Sequence, residues 1–274
     1  MSFLSDGVAV VTGAASGIGR ALAQQLSAAG SALAIADIDE RGLAETAVSL
    51  TGKSHVSTHI LDISDEAAVK AFAEGVLARH SRVTLLINNA GVALVGTFEE
   101  ISLDDLRWLM NINFWGVVYG VSYFLPLLKQ QPRAHIVNLS SVFGIIGPVG
   151  QSAYAASKFA VRGFSEVLRH ELESTSVSLS VVHPGGIHTP IAKHARLGAR
   201  TPEQKKVDAV AFFEKVTPTS PEAAAARILA GVEKREPRIL IGRDARQIDI
   251  VQRLRPATYW KIMAKRAATP RKPK

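Results

Sequence analysis

Tyr154 and Lys158 are the two side chains of this sequence best suited to acid–base chemistry. They stand four residues apart at the start of a predicted helix, a spacing that places both on one face, one turn apart. A tyrosine hydroxyl has a pKa near ~10 and is a poor base at neutral pH, but a neighbouring ammonium lowers that pKa. The pair can therefore act as a general acid and base toward a hydroxyl or carbonyl, although this spacing also occurs by chance on many helices.

Three further polar residues could assist this pair. Ser140 and Ser141 follow a predicted strand, and from chemistry alone either hydroxyl could donate to a substrate oxygen beside Tyr154. Asn113 lies inside a long predicted helix, where an asparagine side chain competes with the helix hydrogen bonds. It therefore predicts a local kink or a held water, and the alternative is a satisfied amide in the core.

A glycine-rich turn, Thr12–Gly19, follows an apolar run and opens the first predicted helix. Glycines allow a tight turn and the close approach of a pyrophosphate, while the helix N-terminus offers free N–H groups and the positive end of its dipole. The strand–turn–helix order favours a phosphate site over glycines that merely shape a turn. The predicted cofactor contacts in this turn are Gly13, Ser16, Gly17, Ile18 and Gly19.

Acidic residues follow the next two predicted strands. The carboxylate of Asp37 can accept hydrogen bonds from both hydroxyls of an adenosine ribose, and it would repel a 2′-phosphate. Ile38 comes next, so no basic residue stands ready to neutralise such a phosphate, and we expect NAD rather than NADP. Asp62, followed by Ile63, is either an adenine contact or a cap for the next helix.

The remaining candidates for cofactor contacts follow the fourth and sixth predicted strands. Small and polar residues at the carboxyl end of a strand leave room for a ligand, although Asn88 and Asn89 can also simply tie neighbouring strands together. Backbone groups after the sixth strand could bind a carboxamide, and Thr189 could touch a phosphate. The predicted contacts are Asn89, Ala90, Gly91, Pro184, Gly185, Ile187 and Thr189. His183 and His188 lack the carboxylates and spacing of a metal site, so we expect no metal.

The hydrophobic pattern predicts the α/β fold that these sites require. The predicted strands are Val8–Val11, Ala32–Ala36, His55–Leu61, Val83–Ile87, His135–Leu139, Val177–Val182 and Arg238–Ile241. The predicted helices are Gly17–Ala29, Arg41–Leu50, Ser64 or Asp65 to His80, Leu103–Lys129, Tyr154–Leu172 and Pro221–Lys234. This alternation predicts a single-domain, Rossmann-type doubly wound parallel sheet with helices on both faces. Residues 1–242 form the predicted catalytic domain, in which residues 189–219 lack clean periodicity and are expected to act as a substrate lid.

Composition narrows the class of protein. The chain has 274 residues, 47% of them hydrophobic and 20% charged, and no cysteine. A globular protein is therefore expected, and disulfides, a thiol nucleophile and a zinc–thiolate site are excluded. No secretory signal or membrane-spanning run is visible, so we expect a cytoplasmic location. The formal net charge is +8, and residues 233–274 alone carry +9. No nucleic-acid recognition motif accompanies that charge, so no nucleic-acid partner is expected.

Residues 243–274 form a basic C-terminal extension. Its apolar residues suit an interrupted amphipathic helix, and they are Ile248, Val251, Leu254, Tyr259, Trp260, Ile262 and Met263. Pro256 would break or kink that helix, and Ala267–Lys274 is predicted to be disordered. Because the extension mixes Lys and Arg with Trp and Tyr, it can lie on an anionic membrane surface. We favour the other interpretation, a helix packed on the body of the protein or on a partner subunit and followed by a solvated basic end.

Together these motifs resemble the short-chain dehydrogenase/reductase family from about Val8 to Thr189, and more loosely to Ile241. The motifs, in the family's order, are Thr12–Gly19, Asn88–Gly91, Asn113 with Gly116, Ser141 with Tyr154 and Lys158, and Pro184–Thr189. The family's serine stands thirteen residues before its tyrosine, which selects Ser141. The resemblance implies that Tyr154 is the acid–base group and that Ser141 holds the substrate oxygen. It also implies that Lys158 binds the nicotinamide ribose and lowers the pKa of Tyr154, while Asn113 supports a water.

The resemblance further implies hydride transfer between NAD and a secondary alcohol or ketone, in a homodimer or homotetramer. Many members of the family end soon after the last strand, whereas this chain continues for about thirty residues. A hydrophobic, steroid-like or lipid-derived substrate is expected from an apolar lining, namely Leu94, Val142, Phe143, Ile146, Ile187, Ile191, Leu197, Phe212 and Phe213. The alternative is a catalytically silent, cofactor-binding regulator or scaffold, but such a protein should lack a catalytic residue, and all four are present.

Overall fold

The computed structural model describes residues 3–52 and 55–268, and its centre is a seven-stranded sheet whose neighbouring strands are all parallel. In chain order, and with the separate pair β5 and β8 included, the strands are β1 (Val8–Thr12), β2 (Ala32–Asp37), β3 (Val56–Ile60), β4 (Leu85–Asn88), β5 (Leu94–Val95), β6 (Ala134–Leu139), β7 (Val177–Pro184), β8 (Arg196–Leu197) and β9 (Arg238–Ile241). The order across the large sheet is β3-β2-β1-β4-β6-β7-β9. The predicted doubly wound sheet is therefore confirmed.

Helices cover both faces of this sheet. They are α1 (Gly17–Ala29), α2 (Glu40–Val48), α3 (Glu66–His80), α4 (Leu103–Met110), α5 (Gly116–Leu128), α6 (Ser152–Glu171), α7 (Glu203–Val216), α8 (Pro221–Glu233), α9 (Arg243–Leu254) and α10 (Tyr259–Ala268). Along β1, Ala9 and Val11 pack toward α1 and α8, whereas Val10 packs toward α3 and α5. Because consecutive strand residues point to opposite faces, a strand buried on both sides needs a continuous apolar run. That requirement explains the unbroken apolar runs of the sequence.

The direction in which strands are added reverses between β1 and β4. From β1 the sheet grows through β2 to β3 on one side and through β4 to β6 on the other. Ligands of open α/β sheets bind at the carboxyl ends of the strands beside such a reversal. Val11 pairs with Ile87 across these two strands. The sheet therefore brings the glycine-rich turn after β1 and the Asn88–Gly91 segment after β4 side by side.

The predicted long helix from Leu103 to Lys129 is divided by a π turn at Asn111–Trp115, between α4 and α5. The N–H of Gly116 donates to the carbonyl oxygen of Asn111, five residues back. Single π turns inside α-helices are frequent at functional sites. Asn113, for which the sequence predicts a local kink or a held water, lies in the middle of this turn.

The predicted lid, residues 189–219, contains two elements that the sequence pattern did not reveal. The short strand β8 pairs with β5, and α7 follows it. None of the residues of α7 is buried, and Val207 and Phe212 are each 60% exposed. A helix without a buried stripe carries no amphipathic signal to detect. The first part of the lid is nevertheless tied to the body, because the N–H groups of Arg196 and Gly198 donate to the carbonyl oxygens of Ala93 and Val95 at 3.0 and 2.9 Å. Its role as a substrate lid stays a prediction.

The C-terminal extension forms α9, which packs against β9, and α10, whose Tyr259 hydroxyl accepts from the N–H of Gly147 at 2.9 Å. The carboxylate of Asp249 in α9 contacts Arg238 of β9 at 2.6 Å and Arg253 at 3.2 Å. Residues 255–258 separate the two helices, so the predicted interruption at Pro256 is confirmed. Of the predicted disordered stretch, Ala267–Lys274, only the first two residues lie in the described part, at the end of α10. Within residues 3–52 and 55–268, no helix is long and apolar enough to cross a membrane.

Candidate active site

The glycine-rich turn forms a tight cradle between β1 and α1. Gly13 has φ +67°, a left-handed conformation that favours glycine. A Cβ on Gly19 would collide with the carbonyl oxygen of Gly13, so only glycine fits there. Ser16 is exposed and in extended conformation directly before α1, and its side chain makes no cap hydrogen bond. The N-terminal N–H groups of α1 therefore lie next to glycine backbone that carries no side chains. This arrangement fits the binding of a dinucleotide pyrophosphate.

Asn89 ties this cradle to β4. Its side-chain amide donates to the carbonyl oxygens of Thr12 and Gly13 at 2.9 and 3.0 Å. The hydroxyl of Thr12 in turn accepts from the N–H groups of Asn89 and Ala90 at 3.1 and 3.2 Å. The side-chain amide of Asn89 and the hydroxyl of Thr12 therefore fix the turn after β1 to the segment after β4. For the side-chain amide of Asn89, the structural alternative, tying strands together, is confirmed; its contact with a cofactor stays a prediction.

Asp37 ends β2 next to the cradle. Its carboxylate accepts from the N–H of Ala15 at 2.9 Å and from the N–H of Asp39 at 3.0 Å. The side chain is half-buried, so it can still face a ligand. Arg20, which no motif of the sequence points to, approaches the same turn, where its guanidinium donates to the carbonyl oxygen of Ala15. Its guanidinium donates to the carbonyl of Gly42 and pairs with Glu45, each at 3.1 Å, and so is already engaged.

Asp62 does not cap α3. That cap is Asp65, whose carboxylate accepts from the N–H of Ala68 at 3.1 Å. Asp62 instead accepts from the N–H and hydroxyl of Ser64 at 2.8 and 2.7 Å, and its side chain is exposed. Neighbouring Ile63 is buried against Gly116 at the start of α5. Of the two roles considered for Asp62, the adenine contact is therefore the one that stays a prediction.

Tyr154, Lys158 and Ser141 meet at the carboxyl ends of β4 and β6. The ammonium of Lys158 lies 5.7 Å from the centroid of the Tyr154 ring and donates to the carbonyl oxygen of Leu139 at 3.0 Å. A Cβ on Gly91 would lie only 3.4 Å from that ammonium. The absence of a side chain at Gly91 therefore keeps space open beside Lys158.

The structure distinguishes the two adjacent serines. Ser140 is buried, and its hydroxyl donates to the carbonyl oxygen of Lys158 at 2.8 Å. The hydroxyl of Ser141 accepts from the N–H of Phe143 at 3.1 Å, and it lies near enough to Tyr154 to lower the pKa of that hydroxyl. Ser140 thus binds the backbone of α6, whereas Ser141 lies on the side of Tyr154, as the family resemblance implies.

The amide of Asn113 is fully satisfied within the core. It accepts from the N–H of Val92 at 2.8 Å, donates to the carbonyl of Val92 at 3.0 Å, and donates to Ser157 at 3.2 Å. The hydroxyl of Ser157 donates to the carbonyl of Tyr154 at 2.8 Å. Asn113 therefore links the loop after β4 to α6, and the satisfied-amide alternative is confirmed for its side chain. Support of a water by this residue stays a prediction.

The expected lowering of the Tyr154 pKa by Lys158 is wrong for the protein alone. Burial raises the pKa of Tyr154 to about 12, and hydrogen bonding to Ser141 opposes this rise. The pKa rises because the ring packs against an apolar cluster that includes Leu94, Leu109 and Ala153, where the charged phenolate is disfavoured. Burial also lowers the pKa of Lys158 to about 8. At neutral pH the site therefore presents a neutral phenol and an ammonium that releases its proton readily.

The segment after β7 closes the site from the other side. His183 is buried, and its Nδ1 donates to the carbonyl oxygen of Ser141 at 2.8 Å. Burial lowers the pKa of His183 to about 4, so its ring is neutral at pH 7. Thr189 lies against the glycine turn, since a Cβ on Gly17 would be 3.0 Å from its methyl group. Across residues 3–52 and 55–268, no group of three or more His, Cys, Asp or Glu side chains could hold a metal ion.

The glycine-rich turn after β1 thus lies at the same edge of the sheet as Tyr154, Lys158 and Ser141, an arrangement that fits a dinucleotide-dependent oxidoreductase. The family model for the short chain dehydrogenase matches residues 7–199. SadH of Mycobacterium tuberculosis, whose name marks it as a candidate oxidoreductase, is 40% identical over 267 residues, covering 96% of each chain. Dehydrogenase/reductase SDR family member 7B of Mus musculus is 33% identical over 281 residues, covering 100% of this chain and 85% of the relative.

A solved structure agrees with these relatives. The short chain dehydrogenase/reductase from Burkholderia phymatum, crystallised in complex with NAD, superimposes with a TM-score of 0.84 at 32% identity and covers 99% of both chains. The chain therefore belongs to the short-chain dehydrogenase/reductase family, and it is an oxidoreductase.

Proposed function

We propose that this oxidoreductase transfers a hydride between NAD and a hydrophobic secondary alcohol or ketone. The observation that carries the proposal is the meeting of Tyr154, Ser141 and Lys158 at the sheet edge that also holds the glycine turn. The nicotinamide would accept or donate the hydride. The remaining chemistry is proton transfer at one substrate oxygen, and the protein's own side chains perform it.

Each of the three side chains has a separate task in this chemistry. Tyr154 takes the proton from the substrate hydroxyl during oxidation and returns it to the carbonyl oxygen during reduction. Ser141 donates a hydrogen bond to that same oxygen and stabilises its developing negative charge. The ammonium of Lys158 reaches toward the backbone at Gly91, where we place the nicotinamide ribose, and it would bind the hydroxyls of that ribose.

The cofactor itself would lie along the carboxyl edge of the sheet. We assign its contacts to Gly13, Ser16, Gly17, Ile18, Gly19, Asp37, Asp62, Ile63, Asn89, Ala90, Gly91, Tyr154, Lys158, Pro184, Gly185, Ile187 and Thr189. The pyrophosphate would meet the N-terminus of α1, and the adenosine ribose would meet Asp37. The carboxamide would meet the backbone of the segment after β7.

An apolar lining supports a hydrophobic substrate. Phe143 packs edge-on against the Tyr154 ring, with centroids 6.0 Å apart. A cavity of about 200 Å³ within the lid has Val210 and Phe213 in its wall, but also the ion-paired Lys193 and Glu214. A larger hollow of about 550 Å³ has Arg107 and Arg200 in its wall. Neither of the two includes a catalytic residue, so we assign the substrate to neither.

A series of 2-alkanols of increasing chain length tests this proposal. Purified protein is mixed with NAD and each alcohol, and the absorbance of the reduced nicotinamide is followed. Each buried CH₂ contributes about 0.8 kcal/mol, which corresponds to about a fourfold gain in kcat/KM per carbon until the pocket is full. Hydroxy acids of matched length serve as the comparison. Preference for the charged compounds, or no gain with chain length, would contradict a hydrophobic pocket.

Replacing Asp37 with asparagine is expected to reduce the preference for NAD over NADP. Two charges about 4 Å apart repel by about 1 kcal/mol in water and about 4 kcal/mol near a protein surface, so the ratio of the two kcat/KM values should fall by about tenfold. Asparagine can still accept from the N–H of Ala15. Asp39→Asn is the control, since Asp39 caps α2 with a carboxylate two residues away. An equal change in both variants would rule out a specific contact by Asp37.

We further propose two association surfaces. Trp115, Phe159 and Val167 are 44, 42 and 59% exposed on the π turn and α6, and we assign them to a homodimer or homotetramer contact, which light scattering checks. In the extension, Leu254 and Trp260 are 73 and 52% exposed within a basic segment, which suits an anionic membrane surface. Co-sedimentation with phosphatidylserine vesicles should fall in Leu254→Ser/Trp260→Ser. Equal sedimentation of variant and wild type would exclude that contact.

A further inference from the structure

The first turn of α9 carries a carboxylate that reaches back to the segment after β7. Oδ2 of Asp244 accepts from the N–H of Gly186 at 2.6 Å. Its second oxygen, Oδ1, is buried and has no hydrogen-bond partner among the described residues. A hydrogen bond from a backbone N–H to a carboxylate is stronger than one between neutral groups. Asp244 therefore holds Gly186 by a strong, directional contact.

The chain around Asp244 is shaped to admit this carboxylate. A Cβ on Gly185 would collide with it, and so would a Cβ on Gly242, which has φ +92°. The N–H of Gly185 donates to the carbonyl of Ile241 at 3.0 Å, and the N–H of Thr219 donates to the carbonyl of Gly186 at 3.3 Å. The two glycines after β7 are thus held by β9, by the end of the lid and by α9.

This anchored segment is the part of the chain that faces the site. It starts at Gly185, two residues after His183, which bonds to the carbonyl of Ser141, and it ends at Thr189, which lies against the glycine turn at Gly17. A displacement at Gly186 would therefore move groups on both sides of the reacting centre. Displacements of about 1 Å in a positioning group can cost on the order of 100-fold in rate.

We propose that Asp244 is a positioning residue, which holds Gly185 and Gly186 where they receive the nicotinamide end of the cofactor. The C-terminal extension, to which Asp244 belongs, then contributes to cofactor binding. This role of Asp244 rests on the proposed function in one respect: the function supplies the nicotinamide cofactor as the ligand of Gly185 and Gly186.

The experiment compares the binding of NADH with that of ADP-ribose, which has both riboses and the pyrophosphate but no nicotinamide. In Asp244→Ala the dissociation constant for NADH should rise by about tenfold, the order expected for a lost charge-assisted hydrogen bond. The constant for ADP-ribose should change by less than about twofold, because the adenine side does not depend on Gly186. Asp244→Asn retains an acceptor oxygen, so the rise for NADH should be only about threefold.

Asp249→Ala is the matched control, because Asp249 fastens the same helix through Arg238 and Arg253. It should lower the unfolding temperature and leave the ratio of the two dissociation constants unchanged. If Asp244→Ala does not fold, Asp244→Asn carries the same comparison. An unchanged ratio in the folded Asp244 variant, or an equal change in Asp249→Ala, overturns the role of Asp244. A wild-type protein that does not bind NADH would overturn the cofactor assignment as well.

Discussion

Replacing Tyr154 with phenylalanine is expected to lower kcat by about 10³-fold, within the range that general acid–base groups contribute. The hydroxyl is the only atom removed, so the ring should still pack on Leu94 and Ala153 and against Phe143. NADH binding and the unfolding temperature should therefore stay close to those of the wild type. Steady-state kinetics in both directions, together with NADH fluorescence titration, measure these quantities.

The raised pKa of Tyr154 also predicts how the wild-type rates depend on pH. Oxidation needs the phenolate, whose share grows as pH rises toward the pKa of about 12. Reduction needs the neutral phenol, which predominates throughout the range from pH 6 to 9. The rate of oxidation should therefore climb with pH in this range, while the rate of reduction changes little.

Tyr123→Phe is the matched control for the Tyr154 variant. It removes another tyrosine hydroxyl, one that donates to the carboxylate of Glu66 at 2.7 Å on the outside of the protein. Its kcat should equal that of the wild type. Retention of more than about a tenth of kcat in Tyr154→Phe would assign the proton transfer to a different group.

The sheet could be predicted from the sequence because its strands are buried on both faces and read as unbroken apolar runs, such as Val8–Val11. The elements that escaped prediction lack such a signal. The strands β5 and β8 have two residues each, and α7 has no buried residue. Their positions depend on pairing with distant parts of the chain, which local periodicity does not encode.

The candidate site likewise has features that the sequence predicts and features that it does not. Tyr154, Lys158 and Ser141 could be found from spacing, because a helix turn and a strand end are local features. The pKa of Tyr154 could not, since it is set by burial among residues that lie far away in the sequence, such as Leu94 and Leu109. Asp244 was likewise hidden, because its contact with Gly186 joins residues 58 positions apart.

Replacing Lys158 with methionine is expected to lower kcat/KM by at least about 10²-fold while raising the stability of the protein. The side chain is only 4% exposed, and burial lowers its pKa from 10.5 to about 8. Holding this ammonium in the core therefore opposes folding at pH 7. Methionine has a similar length and no charge, so removal of the ammonium should increase the free energy of unfolding by about 1–3 kcal/mol, less what the lost hydrogen bond to Leu139 contributed.

The pH dependence of unfolding separates this explanation from simple repacking. Between pH 8 and 10.5 the unfolded wild-type chain keeps the proton on Lys158 while the folded protein has released it. The unfolded state thus binds more protons, and the stability of the wild type rises with pH across this window. Lys158→Met lacks that rise, so its advantage should be largest below pH 8 and vanish near pH 10.5. Lys158→Arg is the control: it keeps the charge in the core and should be no more stable than the wild type. If Lys158→Met were less stable than the wild type at pH 7, Lys158 would be a structural cation rather than a functional one maintained at a cost in stability.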